Sequence, residues 1–440
     1  MRKEYGLPTA IAMIVGIVIG SGIFFKSDDI LRYTGGSVAL GALIFILAAI
    51  SIIFGSLSIS ELAARNSSSG GIVSYAAEFS KPIACAMGWF QLFLYYPTLT
   101  AVVAWVAGIY TCILFNIEMT LLTQVGLGTI YMIILFAINI ISKVIGGYIQ
   151  NISTIIKLIP LIFIAFCGLA FGNPTQTLTA TQSTTVGYAS ILGALAPIAF
   201  SFDGWIVTTS IGGEIRNSKR NLPIALIVSP ILILIVYLIY FIGISSLMDP
   251  MEIIELGDAH VDVVANNLLG AMGAKVLLTF VVISVLGTVN GLILGGIRMP
   301  QSLAEKNMFP QASYVKQVNE KLGISVPAAI IYFVITIIWM FLHYITQQYD
   351  LLNGSDISEI SVAISYALYI YLYVQVIILA KKGEIQNSIK GYLIPILAII
   401  GALIILSSVF SNPLFIVHLT ICVVVCISAI VFFNNNAKKD

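Results

Sequence analysis

Gly16-Ile17-Val18-Ile19-Gly20-Ser21-Gly22-Ile23-Phe24 lies inside the first of a long series of apolar runs. Glycines on both sides of Ser21 let the backbone leave helical geometry without a Cβ penalty. A helix broken there exposes carbonyls of its first half and N–H groups at the start of its second. The start of a helix is a ready anion site. Small residues also let membrane helices pack closely, so the tripeptide alone reads equally well as a binding element and as a packing seam.

The runs around it have the composition of membrane spans. Of 440 residues, 59% belong to the AVILMFWYC set and 9% are charged. With 21 Lys and Arg and 20 Asp and Glu, the chain cannot clothe a soluble fold of this size. A net charge of +1 offers no basic field, so no nucleic-acid partner is expected. Cys85, Cys112, Cys167, Cys422 and Cys426 lie within or at the ends of apolar runs, with no C-x-x-C pair and no histidine at metal spacing. No metal and no cofactor are expected. An intramembrane enzyme needs a nucleophile–base pair or metal ligands, and with no H-E-x-x-H or G-x-S-x-G and with His260, His343 and His418 in or near outer segments, no enzyme is expected. A channel would need repeated pore loops or charged rings, and twelve unlike spans offer neither.

A bilayer core of about 30 Å takes about 20 apolar residues per helix. On that ruler the spans fall near 8–33, 37–62, 84–114, 122–141, 147–171, 188–212, 222–247, 271–298, 326–345, 357–380, 391–409 and 412–433. No cleavage site follows the first run, so it reads as a span and not as a signal peptide. With the N-terminus in the cytoplasm, 17 of the 21 cationic residues fall in cytoplasmic segments; Lys26, Arg32 and Lys275 fall outside, and Lys157 falls within a span. That bias sets orientation, so a multi-pass protein of the cell membrane with both termini cytoplasmic is expected. The acidic outer loop 248–270 reads as a solvated cap.

Two further places break the rules of the bilayer. Pro197-Ile198-Ala199-Phe200-Ser201-Phe202-Asp203-Gly204-Trp205 puts a proline, a glycine and an acid near the middle of the sixth span. Asp203 there can cap freed N–H groups locally, serve a pathway through the span, or do both. Lys157 in the fifth span lies ten residues from Gly147, about 15 Å along a helix, and cannot easily reach either surface. Its ammonium needs interior carbonyls, a carboxylate or water. Broken helices at positions one and six, each opening a block of five spans, fit a pair of inverted repeats with substrate at the midplane. One transporter domain, 1–440, is expected, with repeats over 8–171 and 188–380 and two peripheral helices over 391–433.

Several elements then occur in order: Gly20-Ser21-Gly22-Ile23-Phe24, Glu61-Leu62-Ala63, Ser69-Gly70-Gly71, Phe200-Ser201-Phe202-Asp203-Gly204-Trp205, Asn217-Ser218-Lys219-Arg220-Asn221-Leu222-Pro223, and Asn290-Gly291 through Arg298. Together they make the chain resemble the amino acid–polyamine–organocation permeases, and within them a bacterial form of the L-type amino-acid transporters, over roughly residues 6–433. The resemblance implies an all-α, LeuT-type fold of ten core and two peripheral helices. It implies that Gly20, Ser21 and Gly22 take the substrate carboxylate. The α-ammonium then goes to carbonyls of Ile17 or Val18 and of Phe200 and Ser201. Phe200 is implied as a gate over substrate, and Tyr237 as a tyrosine linked to closure. The resemblance also implies that Lys157 occupies the space that sodium fills in sodium-coupled relatives. Asp203 stands where several relatives carry Gly or Ala, although some have Asp, and puts a carboxylate beside the pocket.

Tyr95, Tyr96, Pro97 and Asn290 are expected to wall the substrate side chain. Animal members pair with a glycoprotein through a cysteine in the loop between spans three and four, and residues 115–121 contain none, so no disulfide-linked heavy subunit is expected. The expected activity is sodium-independent exchange of small neutral amino acids. The alternative is a proton- or sodium-coupled symporter on the same fold that also accepts cationic amino acids. A fixed cation at Lys157 opposes sodium, whereas a lysine that deprotonates could carry a proton.

Overall fold

An unpaired backbone N–H or C=O costs several kcal/mol in hydrocarbon, so a chain this apolar must satisfy its backbone within helices. The computed structural model describes residues 5–436 apart from 21, 24–26, 67, 69, 181–186, 353–354, 408–409 and 411. Eleven helical stretches among the described residues are long and apolar enough to cross a membrane. They are Val38–Arg65, Lys81–Phe115, Leu121–Ile141, Val144–Phe171, Gly193–Glu214, Ser218–Leu247, His260–Glu305, Val326–Gln348, Ile357–Lys381, Ile389–Ser407 and Phe415–Asn436. The first span precedes them in two pieces, Leu7–Val18 and Ser27–Tyr33. These are spans two to twelve and span one of the sequence reading.

The loop 248–270 departs from that reading. It forms a helix, Pro250–Leu256, and a second helix starts at His260 and bends at Gly270, whose φ is +69°. Asp249 explains the first: its carboxylate accepts from the Met251 N–H at 2.8 Å, a helix cap and not merely a solvated charge.

Span seven runs along span two and also packs on spans one and five. Span eight packs against spans three and five. In span six 94% of the apolar window is buried, against 17% in span twelve, so six is a core helix and twelve faces lipid. Prolines explain some of the joints. Pro97 has no N–H for the Phe93 carbonyl, and the indole of Trp339 in span nine donates to that carbonyl at 2.6 Å. Pro230 likewise frees the Leu226 carbonyl, which accepts from the Ser56 hydroxyl of span two. At the end of span six, the buried carboxylate of Glu214 pairs with the equally buried Arg298 near the end of span eight. The Glu214 carbonyl accepts from the Tyr5 N–H at 3.1 Å, which ties the N-terminal segment to the same corner.

Candidate functional site

The first half of span one ends at Val18. Ile19 follows with ψ 85°, outside the helical range, and the Gly20 N–H turns back to the Val18 carbonyl at 2.8 Å. The carbonyl of Gly16 is thereby released from the helical ladder. Ser21, singled out for the substrate carboxylate, lies outside the described residues, as does Ser69. Gly22 meets the second break directly: a Cβ on it would stand 2.6 Å from the Ser201 Cα. Only glycine allows that approach.

Span six breaks differently. Its helix Tyr188–Phe202 gives way to an extended Asp203 and then to Gly204 at φ +91°, before a tighter helical segment, Val207–Glu214. At Gly204 a side chain would be strained by φ and would also place its Cβ 2.5 Å from the Ile17 Cγ2. Asp203 is buried, and its Oδ2 accepts from the Tyr95 hydroxyl at 2.6 Å. Its Oδ1 is buried with no hydrogen-bond partner among the described residues.

Three side chains from other spans hold the breaks. The Lys157 ammonium is fully buried and donates to the released Gly16 carbonyl. Thr288 of span eight stands 3.3 Å from the ammonium and donates to the same carbonyl at 3.2 Å. No carboxylate among the described residues pairs with Lys157. The Tyr237 hydroxyl lies 2.9 Å from the Val18 carbonyl and 2.8 Å from the Ser201 carbonyl. It has one proton, so it serves one broken helix at a time.

Between the breaks is a cavity of about 20 Å³. Ile17, Val18, Gly20, Gly22, Phe200 and Asp203 all line it. Such a volume holds about one water, so an amino acid enters only if the walls move. Ser201 is buried beside it, with its carbonyl turned to Tyr237.

The remaining wall differs from the sequence expectation. It consists of Leu99 and Val103 of span three and Thr288 of span eight, in place of Tyr95, Tyr96, Pro97 and Asn290. Leu99 and Val103 are four residues apart, one turn of one helix face. The segment Gln91–Tyr95 is π-helical, and Tyr95 reaches Asp203 instead of the cavity. Tyr96 packs edge-on against Tyr332. Asn290 is a strut: it accepts from Asn139 of span four at 2.8 Å and donates to the Gly146 carbonyl at 3.0 Å at the start of span five. Thr288 was detectable only as a polar residue two positions from Asn290; nothing in the pattern of span three marked Leu99 and Val103.

A sequence profile described as amino acid permease matches residues 5–420. The serine/threonine exchanger SteT of Bacillus subtilis is 29% identical over 414 residues, covering 93% of this chain and 91% of its own. Human b(0,+)-type amino acid transporter 1 is 26% identical over 448 residues, covering 98% and 88%. Human large neutral amino acids transporter small subunit 2 is 26% identical over 432 residues, covering 94% and 77%. Among solved structures, that of MhsT in complex with L-phenylalanine matches with a TM-score of 0.63 at 16% identity, over 92% of this chain and 98% of that one. That likeness shows the fold, which is LeuT-type.

Proposed function

We propose, for a chain that belongs to the amino acid permease family and so is a multi-pass membrane transporter of amino acids and not an enzyme, that it exchanges amino acids across the cell membrane without sodium and prefers small neutral ones. The observation that carries this reading is the Lys157 ammonium on the Gly16 carbonyl at the first break. Two unit charges 4 Å apart repel by about 4 kcal/mol at an effective dielectric constant of 20. That is a penalty of about a thousandfold on a sodium ion sharing those carbonyls.

A zwitterion needs N–H donors for its carboxylate and carbonyls for its ammonium, and two broken helices provide both without fixed charge. In this reading the carboxylate sits on Gly20, Ser21 and Gly22. The ammonium sits on carbonyls of Ile17 or Val18, Phe200 and Ser201, the last released when the Tyr237 hydroxyl turns to Val18. Phe200 closes over the substrate. When the substrate leaves, those groups lose their partners, and each buried unmatched group costs about 1–3 kcal/mol. Return of the empty carrier is then slow, and substrate on the far side accelerates uptake. A relative named as a serine/threonine exchanger supports both exchange and small substrates.

Labelled alanine or serine is followed into liposomes that are empty or preloaded with the same amino acid, in sodium and in choline buffer. Faster entry into loaded vesicles in both buffers is expected. Equal entry into empty and loaded vesicles rejects exchange, and strict dependence on sodium rejects the role of Lys157. The unpartnered Oδ1 of Asp203 favours an extension of the substrate range to cationic side chains. If a proton gradient drives uptake into empty vesicles, the symport alternative replaces exchange.

The positive-inside bias supports cytoplasmic termini, and the paired breaks support repeats over 8–171 and 188–380 with 391–433 peripheral. A cysteine introduced in 248–270 is expected to react with an impermeant reagent from outside, and one in 216–221 is not; the reverse pattern inverts the orientation. With no cysteine in 115–121, no disulfide-linked heavy subunit is expected.

A further inference from the structure

Span five carries two unlike surfaces in line on its outer side. At its start, Gly147, Tyr148 and Asn151 enclose a cavity of about 340 Å³ with Tyr5, Thr9 and Arg216. Further along, Ile155, Ile159, Ile162 and Phe166 edge an apolar groove of about 520 Å³. Tyr148, Ile152, Ile155, Ile159, Ile162 and Phe166 recur every three or four residues and are each 45% to 68% exposed. They therefore form one face of one helix, turned to lipid. From Ile155 to Phe166 the groove runs about 16 Å along the axis, or half of a hydrocarbon core of about 30 Å. A polar cavity at the start of span five thus lies in line with an apolar groove about one leaflet long, which are the proportions of a single phospholipid.

The polar end specifies the headgroup. Arg216 brings a guanidinium, whose fork of donors matches a phosphate. Tyr148 sets an amphipathic ring at the interface, where such rings anchor. Asn151 donates to the Thr9 hydroxyl at 3.4 Å, and its own Oδ1 is buried with no partner. That oxygen needs a donor. A choline headgroup has none, and an ethanolamine headgroup brings an ammonium toward Arg216. A glycerol headgroup offers hydroxyl donors on a net anion.

We propose that this cavity binds the headgroup of an anionic phospholipid of phosphatidylglycerol type, with an acyl chain along the groove over 155–166. The lipid bridges the start of span one and span five from outside, the same two helices that Lys157 joins within the bundle.

Native mass spectrometry of the full-length protein, titrated with phosphatidylglycerol, phosphatidylcholine or inorganic phosphate, tests this. One retained phosphatidylglycerol is expected, bound at least fivefold more tightly than phosphatidylcholine. Arg216→Gln is expected to weaken it at least fivefold. Lys219→Gln, an exposed cation three residues on that does not line the cavity, is expected to leave it unchanged. Val144→Trp crowds the cavity from its lipid-exposed rim without touching a charge, and should weaken binding even if Arg216→Gln does not fold. Undiminished binding in Arg216→Gln or Val144→Trp overturns the site. Equal weakening by Lys219→Gln assigns the effect to diffuse surface charge and overturns it too. Displacement of the lipid by millimolar inorganic phosphate makes the cavity a soluble-anion site and overturns the lipid assignment.

Discussion

Span one breaks on small residues and brings no charge to its break; span six breaks on Asp203 and Gly204 and brings a carboxylate. The charge at the first break is imported, as Lys157 from span five reaches the Gly16 carbonyl. The charge at the second is native to the helix and tethered from outside, by the Tyr95 hydroxyl of span three. Each break releases backbone groups that hydrocarbon cannot solvate, and each finds a partner on a neighbouring span. The two differ in which element is fixed. The imported ammonium staples span one to span five, whereas the Asp203 carboxylate keeps one oxygen unpartnered beside the cavity. The first break is therefore pinned through its backbone to a neighbouring span, and the second keeps a carboxylate oxygen without a partner among the described residues.

Removing the staple is expected to have the largest effect. A hydrogen bond to a charged group contributes about 1.5–3 kcal/mol, so Lys157→Ala should slow alanine exchange in proteoliposomes by at least about tenfold at matched protein content. Wild-type exchange in that variant would erase the distinction between the two breaks. Tyr237 serves both breaks with one neutral hydroxyl, worth about 0.5–1.5 kcal/mol. Tyr237→Phe should slow exchange by about two- to tenfold, and a loss as large as that of Lys157→Ala would show that the shared proton and not the ammonium carries closure. Asp203→Asn keeps an acceptor for Tyr95 and removes only the charge. Alanine exchange should fall by no more than about fivefold, since a neutral hydrogen bond contributes about 1 kcal/mol. Competition by lysine should fall further than that. If alanine exchange falls tenfold, the second break is as structural as the first, and the comparison fails.

Much of this arrangement is legible in the sequence, for reasons that differ by residue. Lys157 stood out because an ammonium ten residues inside an apolar run has few ways to be solvated. Gly20, Gly22 and Gly204 stood out because glycine in a span marks backbone that departs from the helix or closely approaches another chain segment, and Gly22 against Ser201 is such an approach. Leu99 and Val103 did not stand out, because nothing distinguishes two aliphatic residues facing a cavity from two facing a neighbouring helix. Tyr95 reads as a wall residue from its place in span three, yet it bonds to Asp203, 108 positions later in the chain. Asn290 read as a pocket residue by its polarity; the structure uses that polarity to bind spans four, five and eight together.

The sequence by itself determined where the chain crosses the membrane and where it breaks. Those are local matters: about 20 residues must satisfy their own backbone in lipid, and a Gly, Pro or charge within them fails to do so at a known position. Only the tertiary structure decided which partner each released group takes. It joined Lys157 to Gly16, Tyr237 to both breaks and Trp339 to the carbonyl freed by Pro97. It also decided which face of span three looks into the cavity, after the π-helical turn at Gln91–Tyr95. These pairings span tens to hundreds of residues and depend on how helices rotate and pack against one another, which the order of residues within each span leaves open.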